Sequence, residues 1–145
     1  MANSDRTVIG WREWAALPAL GVARIKVKID TGARTSALHA TSIEPYETDG
    51  EQRVRFRLQP GRKDTTIMPV RDARVVDTRD VTNSGGQVEQ RYVIETDIVL
   101  GEQRWPIEMT LTSRDTMKFK MLLGRTAMRG RLIVDPQRSF LTGRR

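Results

Sequence analysis

The feature that most constrains this chain is a series of short polar–apolar alternations, each closed within about ten residues by a turn signal. Arg24-Ile25-Lys26-Val27-Lys28-Ile29-Asp30 has the period-two pattern of a half-buried strand and ends in the turn Asp30-Thr31-Gly32-Ala33. Arg53-Val54-Arg55-Phe56-Arg57-Leu58 repeats the pattern, with arginine on one face, and Pro60-Gly61 closes it. The β-branched run from Thr66 to Thr78 is interrupted by Pro69, which marks an edge or a bend. Asn83-Ser84-Gly85-Gly86 has the composition of a loop or a hairpin tip. Tyr92 to Leu100 and Gln103 to Thr112 form a further pair turning at Gly101-Glu102, with Trp105, Ile107, Met109 and Leu111 on one face. Lys120 to Arg125 is a buried apolar run ending at Gly124, followed by a short segment to Arg129 and then Leu132 to Asp135. Many short strands without a sustained helical period predict an all-β barrel or sandwich.

Two segments are ambiguous at this level. Gly10 to Leu17 is soon halted by Pro18 and Gly21, so one helical turn or an irregular lead-in both fit, and residues 1–22 are taken as a lead-in. Thr35 to Ala40 fits a brief helix or another strand. The length of 145 residues suits a single domain, residues 1–145. With 38% apolar and 30% charged residues, the composition is that of a folded chain rather than a disordered one.

Composition also removes whole classes of chemistry. With no cysteine, disulfides, thiol nucleophiles and thiolate metal sites are excluded. His39 is the single histidine, which excludes zinc sites built on two or three histidines. No metal or other cofactor is expected. Met1 to Arg6 lacks the basic-then-apolar pattern of a signal peptide, and no stretch approaches the roughly 18 apolar residues of a membrane span. The expectation is a soluble cytoplasmic protein without a membrane partner. Lys and Arg number 25 against 18 Asp and Glu, a net charge of +7 that calls for an acidic partner.

An Asp-Thr-Gly at a strand end is a weak signal alone, because these are ordinary turn residues. Here an apolar strand delivers Asp30, a hydroxyl and two small residues follow, and Met121-Leu122-Leu123-Gly124-Arg125 comes about ninety residues later. This pair resembles the retropepsin-like aspartic proteinases. Val8 to Trp14, Lys28 to Ala40 and Met121 to Arg125 are further similar to one bacterial group, labelled ATP-dependent zinc proteases and associated with the RimK-type glutamate ligase. The label conflicts with the residues: one histidine and no cysteine make a poor zinc site, and there is no phosphate-cradling GxxxxGK[ST] loop.

The resemblance implies a closed retropepsin-like β-barrel with one or two short helices and an aspartic-type peptidase. Asp30, Thr31 and Gly32 would form the catalytic loop, supported by Ala33, Leu122, Leu123 and Gly124. Because one chain offers one such loop, the resemblance implies a homodimer whose two Asp30 carboxylates meet and share a proton. Residues 79–91 would be a flap over the substrate. The positive charge and the ligase association together point to acidic substrates, α-linked oligoglutamate tails on a ribosomal protein in particular. Arg34, Arg79, Arg91, Ser84, Lys118 and Arg125 are the candidate substrate-binding residues. His39 is expected to be structural, and Trp11, Trp14 and Trp105 to fill the core or a dimer interface. A single-chain site would need a second carboxylate such as Asp115 or Asp135. The alternative function is a non-catalytic basic β-barrel that binds RNA or a ribosomal surface, although the basic runs lack interleaved aromatics, so nucleic acid is not expected.

Overall fold

The computed structural model describes residues 6–59, 68–83, 85–113 and 118–143. Six of its strands close on themselves: β2 (Arg12–Leu17), β3 (Val22–Ile29), β10 (Met121–Leu123), β4 (Ser36–His39), β9 (Gln103–Thr112) and β8 (Val88–Leu100). The ring is completed where Ala16 of β2 pairs with Val99 of β8. Beyond β8 the sheet continues outward through β7 (Arg71–Thr82), β6 (Glu51–Arg57) and β5 (Thr41–Thr48). A separate parallel pair joins β1 (Thr7–Ile9) to β11 (Leu132–Val134). One helical turn, α1 (Arg125–Met128), and a 3-10 turn at Pro18–Leu20 are the helices among the described residues. The all-β class is what the strand pattern predicts, and the closed barrel with short helices is what the resemblance implies.

Alternation builds the core directly. Val22, Ile25, Val27 and Ile29 of β3 are buried while Arg24 and Lys28 are exposed. Trp105, Ile107, Met109 and Leu111 of β9 are buried in the same cluster, which Val54 and Phe56 of β6 join from the extension. Burying each such side chain stabilises the fold by about 1.5–3 kcal/mol before the entropy of ordering is counted.

The N-terminal lead-in is corrected: Gly10 to Leu17 is neither irregular nor helical, but holds β2, the strand that closes the barrel. The reason is the residue that β2 turns inward. Glu13, Ala15 and Leu17 occupy the inner face, and a carboxylate in that row hides the apolar period. Glu13 is fully buried yet fully served. Its Oε2 accepts from the Gly10 and Leu141 N–H groups at 2.7 and 2.8 Å, and its Oε1 from the Thr142 N–H and hydroxyl at 3.2 and 2.9 Å. The carboxylate thus ties the C-terminal segment to β2.

Trp14 is half-buried rather than in the core, stacked on Phe140 of that same segment at 5.7 Å with the Arg24 guanidinium 3.9 Å from its ring. Trp11 is likewise half-buried, edge-on to Phe119, so Trp105 alone of the three tryptophans is a core residue. Residues 35–40 hold the strand β4, flanked by β10 and β9. The run expected from Thr66 becomes β7, starting after Pro69 at Arg71; residues 60–67 lie outside the described ones. The strand β5 has no counterpart in the sequence reading: it is an edge strand that carries Pro45 and exposes Glu44 and Glu47.

Candidate active site

The site begins where β3 runs out. Its last residue, Ile29, pairs with Leu123 of the short parallel strand β10, and the next N–H, that of Asp30, donates to the Leu123 carbonyl at 2.9 Å. Since β10 also pairs antiparallel with β4, the loop from Asp30 to Thr35 must arch from one side of β10 to the other. The segment after β10 fastens that arch from behind. The Arg125 N–H donates to the Ala33 carbonyl at 2.8 Å, the Thr126 hydroxyl to the Arg34 carbonyl at 2.8 Å, and Arg125 Nη1 to the Gly32 carbonyl at 3.1 Å. The Gly124 N–H donates to Ser36 Oγ at 3.0 Å.

Gly124 is required here by space. A Cβ on it would stand 2.7 Å from the Thr35 carbonyl carbon and 3.0 Å from the Arg34 oxygen. Within the arch, the Gly32 N–H donates to Asp30 Oδ1 at 3.1 Å and the Ala33 N–H to the Asp30 carbonyl at 3.2 Å. The Asp30 carboxylate is therefore oriented by its own loop, half-buried, while Thr31 and Gly32 remain exposed.

Above this loop the ends of β7 and β8 form a hairpin, enclosing with it a cleft of about 610 Å³. At the tip, Asn83 Oδ1 accepts from the Gly85 and Gln87 N–H groups at 2.9 and 3.1 Å. Of the residues singled out from sequence, Asp30, Gly32, Ala33, Arg34, Arg79, Arg91 and Leu122 line this one cleft. Thr31 lies beside it without lining it, and Leu123 and Gly124 are buried behind the loop. Lys118 is exposed and off the cleft wall, and Arg125 serves as the loop anchor just described. Ser84 and Asp115 lie outside the described residues. Asp135 is off the cleft wall, beside Arg138 at 3.6 Å. His39 is buried in β4.

The cleft wall also includes residues that sequence reasoning missed, notably Asp80, Thr35 and Thr110. Nothing in the charged alternation of β7 distinguishes Asp80 from its neighbours.

Two of the three cleft arginines are already paired within the chain. Arg79 reaches Asp77 at 2.7 Å, Glu108 at 2.9 Å and the Thr35 hydroxyl at 3.5 Å. Its guanidinium, with help from the Thr78 N–H, holds the Asp77 carboxyl below its ordinary range, and the two acids in turn raise Arg79, Glu108 the more. Arg91 is buried, with Nε on Glu89 at 2.7 Å and Nη1 on the Thr110 hydroxyl at 3.5 Å; that hydroxyl donates to the Ser36 carbonyl at 3.0 Å. Asp77–Arg79 and Glu89–Arg91 are each two residues apart on a strand, the spacing that puts both side chains on one face. That spacing is the signal by which these pairs are legible in the sequence.

Among the described residues no group of three or more His, Cys, Asp or Glu is arranged to hold a metal ion, and no helix is long and apolar enough to cross a membrane.

A family model described as "RimB-like: Retropepsin-like aspartic endopeptidase RimB" matches residues 8–145. A probable alpha-L-glutamate ligase of Shewanella halifaxensis is 45% identical over 141 residues, covering 97% of this chain and 31% of the ligase. One from Parasynechococcus marenigrum is 45% identical over 138 residues, covering 95% of this chain and 30% of that protein. The chain thus spans about a third of the length of these curated relatives. A crystal structure of a protein with unknown function from Legionella pneumophila superposes with a TM-score of 0.80 at 27% identity, covering 98% of this chain and 100% of that one.

Proposed function

The chain belongs to the RimB-like family of retropepsin-like aspartic endopeptidases, and from that membership we propose that it hydrolyses acidic peptides with Asp30 as its catalytic carboxylate. The observation that carries this reading is the Asp30 loop itself. Its carboxylate is aimed by the Gly32 N–H, its backbone is pinned by residues 124–126, and a cleft large enough for a peptide segment opens above it.

The chemistry needs two carboxylates sharing one proton. The ionised one takes a proton from water as the water oxygen attacks the scissile carbonyl carbon, while the protonated one gives its proton to the carbonyl oxygen. Collapse of the tetrahedral diol breaks the C–N bond: the first carboxyl returns its proton to the departing amine nitrogen, and one diol hydroxyl returns a proton to the second carboxylate, restoring the shared proton. The second carboxylate is proposed to be Asp30 of another copy, because the exposed Thr31 and Gly32 leave this loop open for pairing about a twofold axis. Neither zinc nor ATP takes part in this scheme.

The preferred substrate is proposed to be an α-linked oligoglutamate tail, in a cytoplasmic setting. Relatives named as glutamate ligases carry a segment similar to nearly the whole of this chain, and that association supports a substrate of the kind such a ligase would make. The +7 charge and the exposed Arg34 on the cleft wall suit the same substrate.

Asp30→Asn is expected to lower kcat on a glutamate-tailed peptide by about 1,000-fold or more, with an unchanged circular dichroism spectrum. Full activity in that variant would refute the assignment, and activity lost to a chelator and restored by zinc would refute the metal-free scheme.

A further inference from the structure

Three arginines stand on the wall of the cleft, and their surroundings divide them. Arg79 is held by two carboxylates and bonds the Thr35 hydroxyl, so it links the base of the β7–β8 hairpin to β9 and to the Asp30 loop. Arg91 is buried with its charge answered by Glu89, and through Thr110 it connects to the start of β4. Neither presents an unanswered positive charge to a ligand.

Arg34 differs on each count. It is exposed, lines the cleft, and makes no ion pair among the described residues. Its backbone is nonetheless fixed: the Thr126 hydroxyl and N–H both donate to its carbonyl, at 2.8 and 3.2 Å, and Gly124 packs against that same oxygen. A guanidinium carried by an anchored backbone, four residues from the catalytic carboxylate, suits recognition of a carboxylate by paired N–H donors.

We infer that Arg34 is the specificity-determining residue of the cleft, reading a substrate side-chain carboxylate close to the scissile bond, and that Arg79 and Arg91 are positioning residues. This rests on the acidic-peptide reading above. Recognition of one carboxylate by one cation that has no ion pair among the described residues predicts selectivity at one substrate position rather than a general preference for negative charge.

The test is a set of oligoglutamate peptides, each with one Glu replaced by Gln, from which the ratio of kcat/KM for the Glu and Gln forms is taken at every position. The wild type is expected to show a ratio of about 10 to 100 at one position. Arg34→Gln should bring that ratio close to 1, and Arg34→Lys should restore part of it. Arg79→Gln should lower kcat/KM on both forms while keeping the ratio. The ratio surviving in Arg34→Gln, or collapsing in Arg79→Gln instead, would overturn the inference while leaving the peptidase reading intact. Should the wild type bind the peptides without cleaving them, the catalytic reading fails alone, and the same ratios are taken from Kd. Neither binding nor cleavage would overturn both.

Discussion

Glu13 shows how a single side chain can be decisive for the fold and invisible to hydropathy. It occupies an inward position of the barrel-closing strand, where burial of an unserved carboxylate would be prohibitive. Its four hydrogen bonds make the position tolerable and fix the C-terminal segment, which brings Phe140 onto Trp14. Glu13→Ala is expected to destabilise the protein by about 3 kcal/mol or more, because buried donors lose their acceptor. Glu13→Gln, which keeps one good acceptor oxygen, should lose less. Chemical denaturation of the three proteins checks the order, and an alanine variant as stable as wild type would refute the clasp. At this scale the candidate catalytic residue is legible, since Asp30 follows an apolar strand and answers to a late apolar run ending in Gly124. The roles of Arg79 and Arg91 are legible only in part: the i−2 acids Asp77 and Glu89 stand in the sequence, whereas Glu108 is brought to Arg79 across β8 only by the fold.

Stretches with clean alternation, such as β6, β3 from Arg24 onward and β9 up to Met109, are predictable because one face sees water and the other the core. The misread or missed elements, β2 and β5, break that rule for opposite reasons. One turns a carboxylate inward, and the other is an edge strand with little apolar face to show. The hairpin over the cleft depends on its base, where Asp77, Arg79 and Glu108 join β7 to β9. The Asp77 carboxyl titrates below its ordinary range because Arg79 favours the ionised form. A carboxylate so lowered contributes its stability above the ordinary, unfolded-state range near pH 4, and that contribution is lost as pH falls through the lower folded value. Melting temperature should therefore fall as pH drops below about 4, and less steeply in Asp77→Asn. Equal acid limbs in the two proteins would show that this pair does not hold the hairpin.

At the scale of the whole molecule, the site is incomplete in one copy if the two-carboxylate mechanism holds. Mixing wild-type and Asp30→Asn protomers, with time for exchange, tests this directly. When each site needs two intact loops, an equal mixture should retain roughly a quarter of the activity of the same total wild-type protein. Independent protomers would retain a half, and that result would refute the shared site.

The parallel pair of β1 and β11 has a consequence of another kind. Thr7 lies opposite Leu132, and the Trp11 N–H reaches the Arg138 carbonyl at 2.8 Å, so the first and last described segments lie side by side. A fold that is entered and left at one seam makes a convenient module. A longer polypeptide can carry it at an end or as an inset, without stretching or threading the barrel.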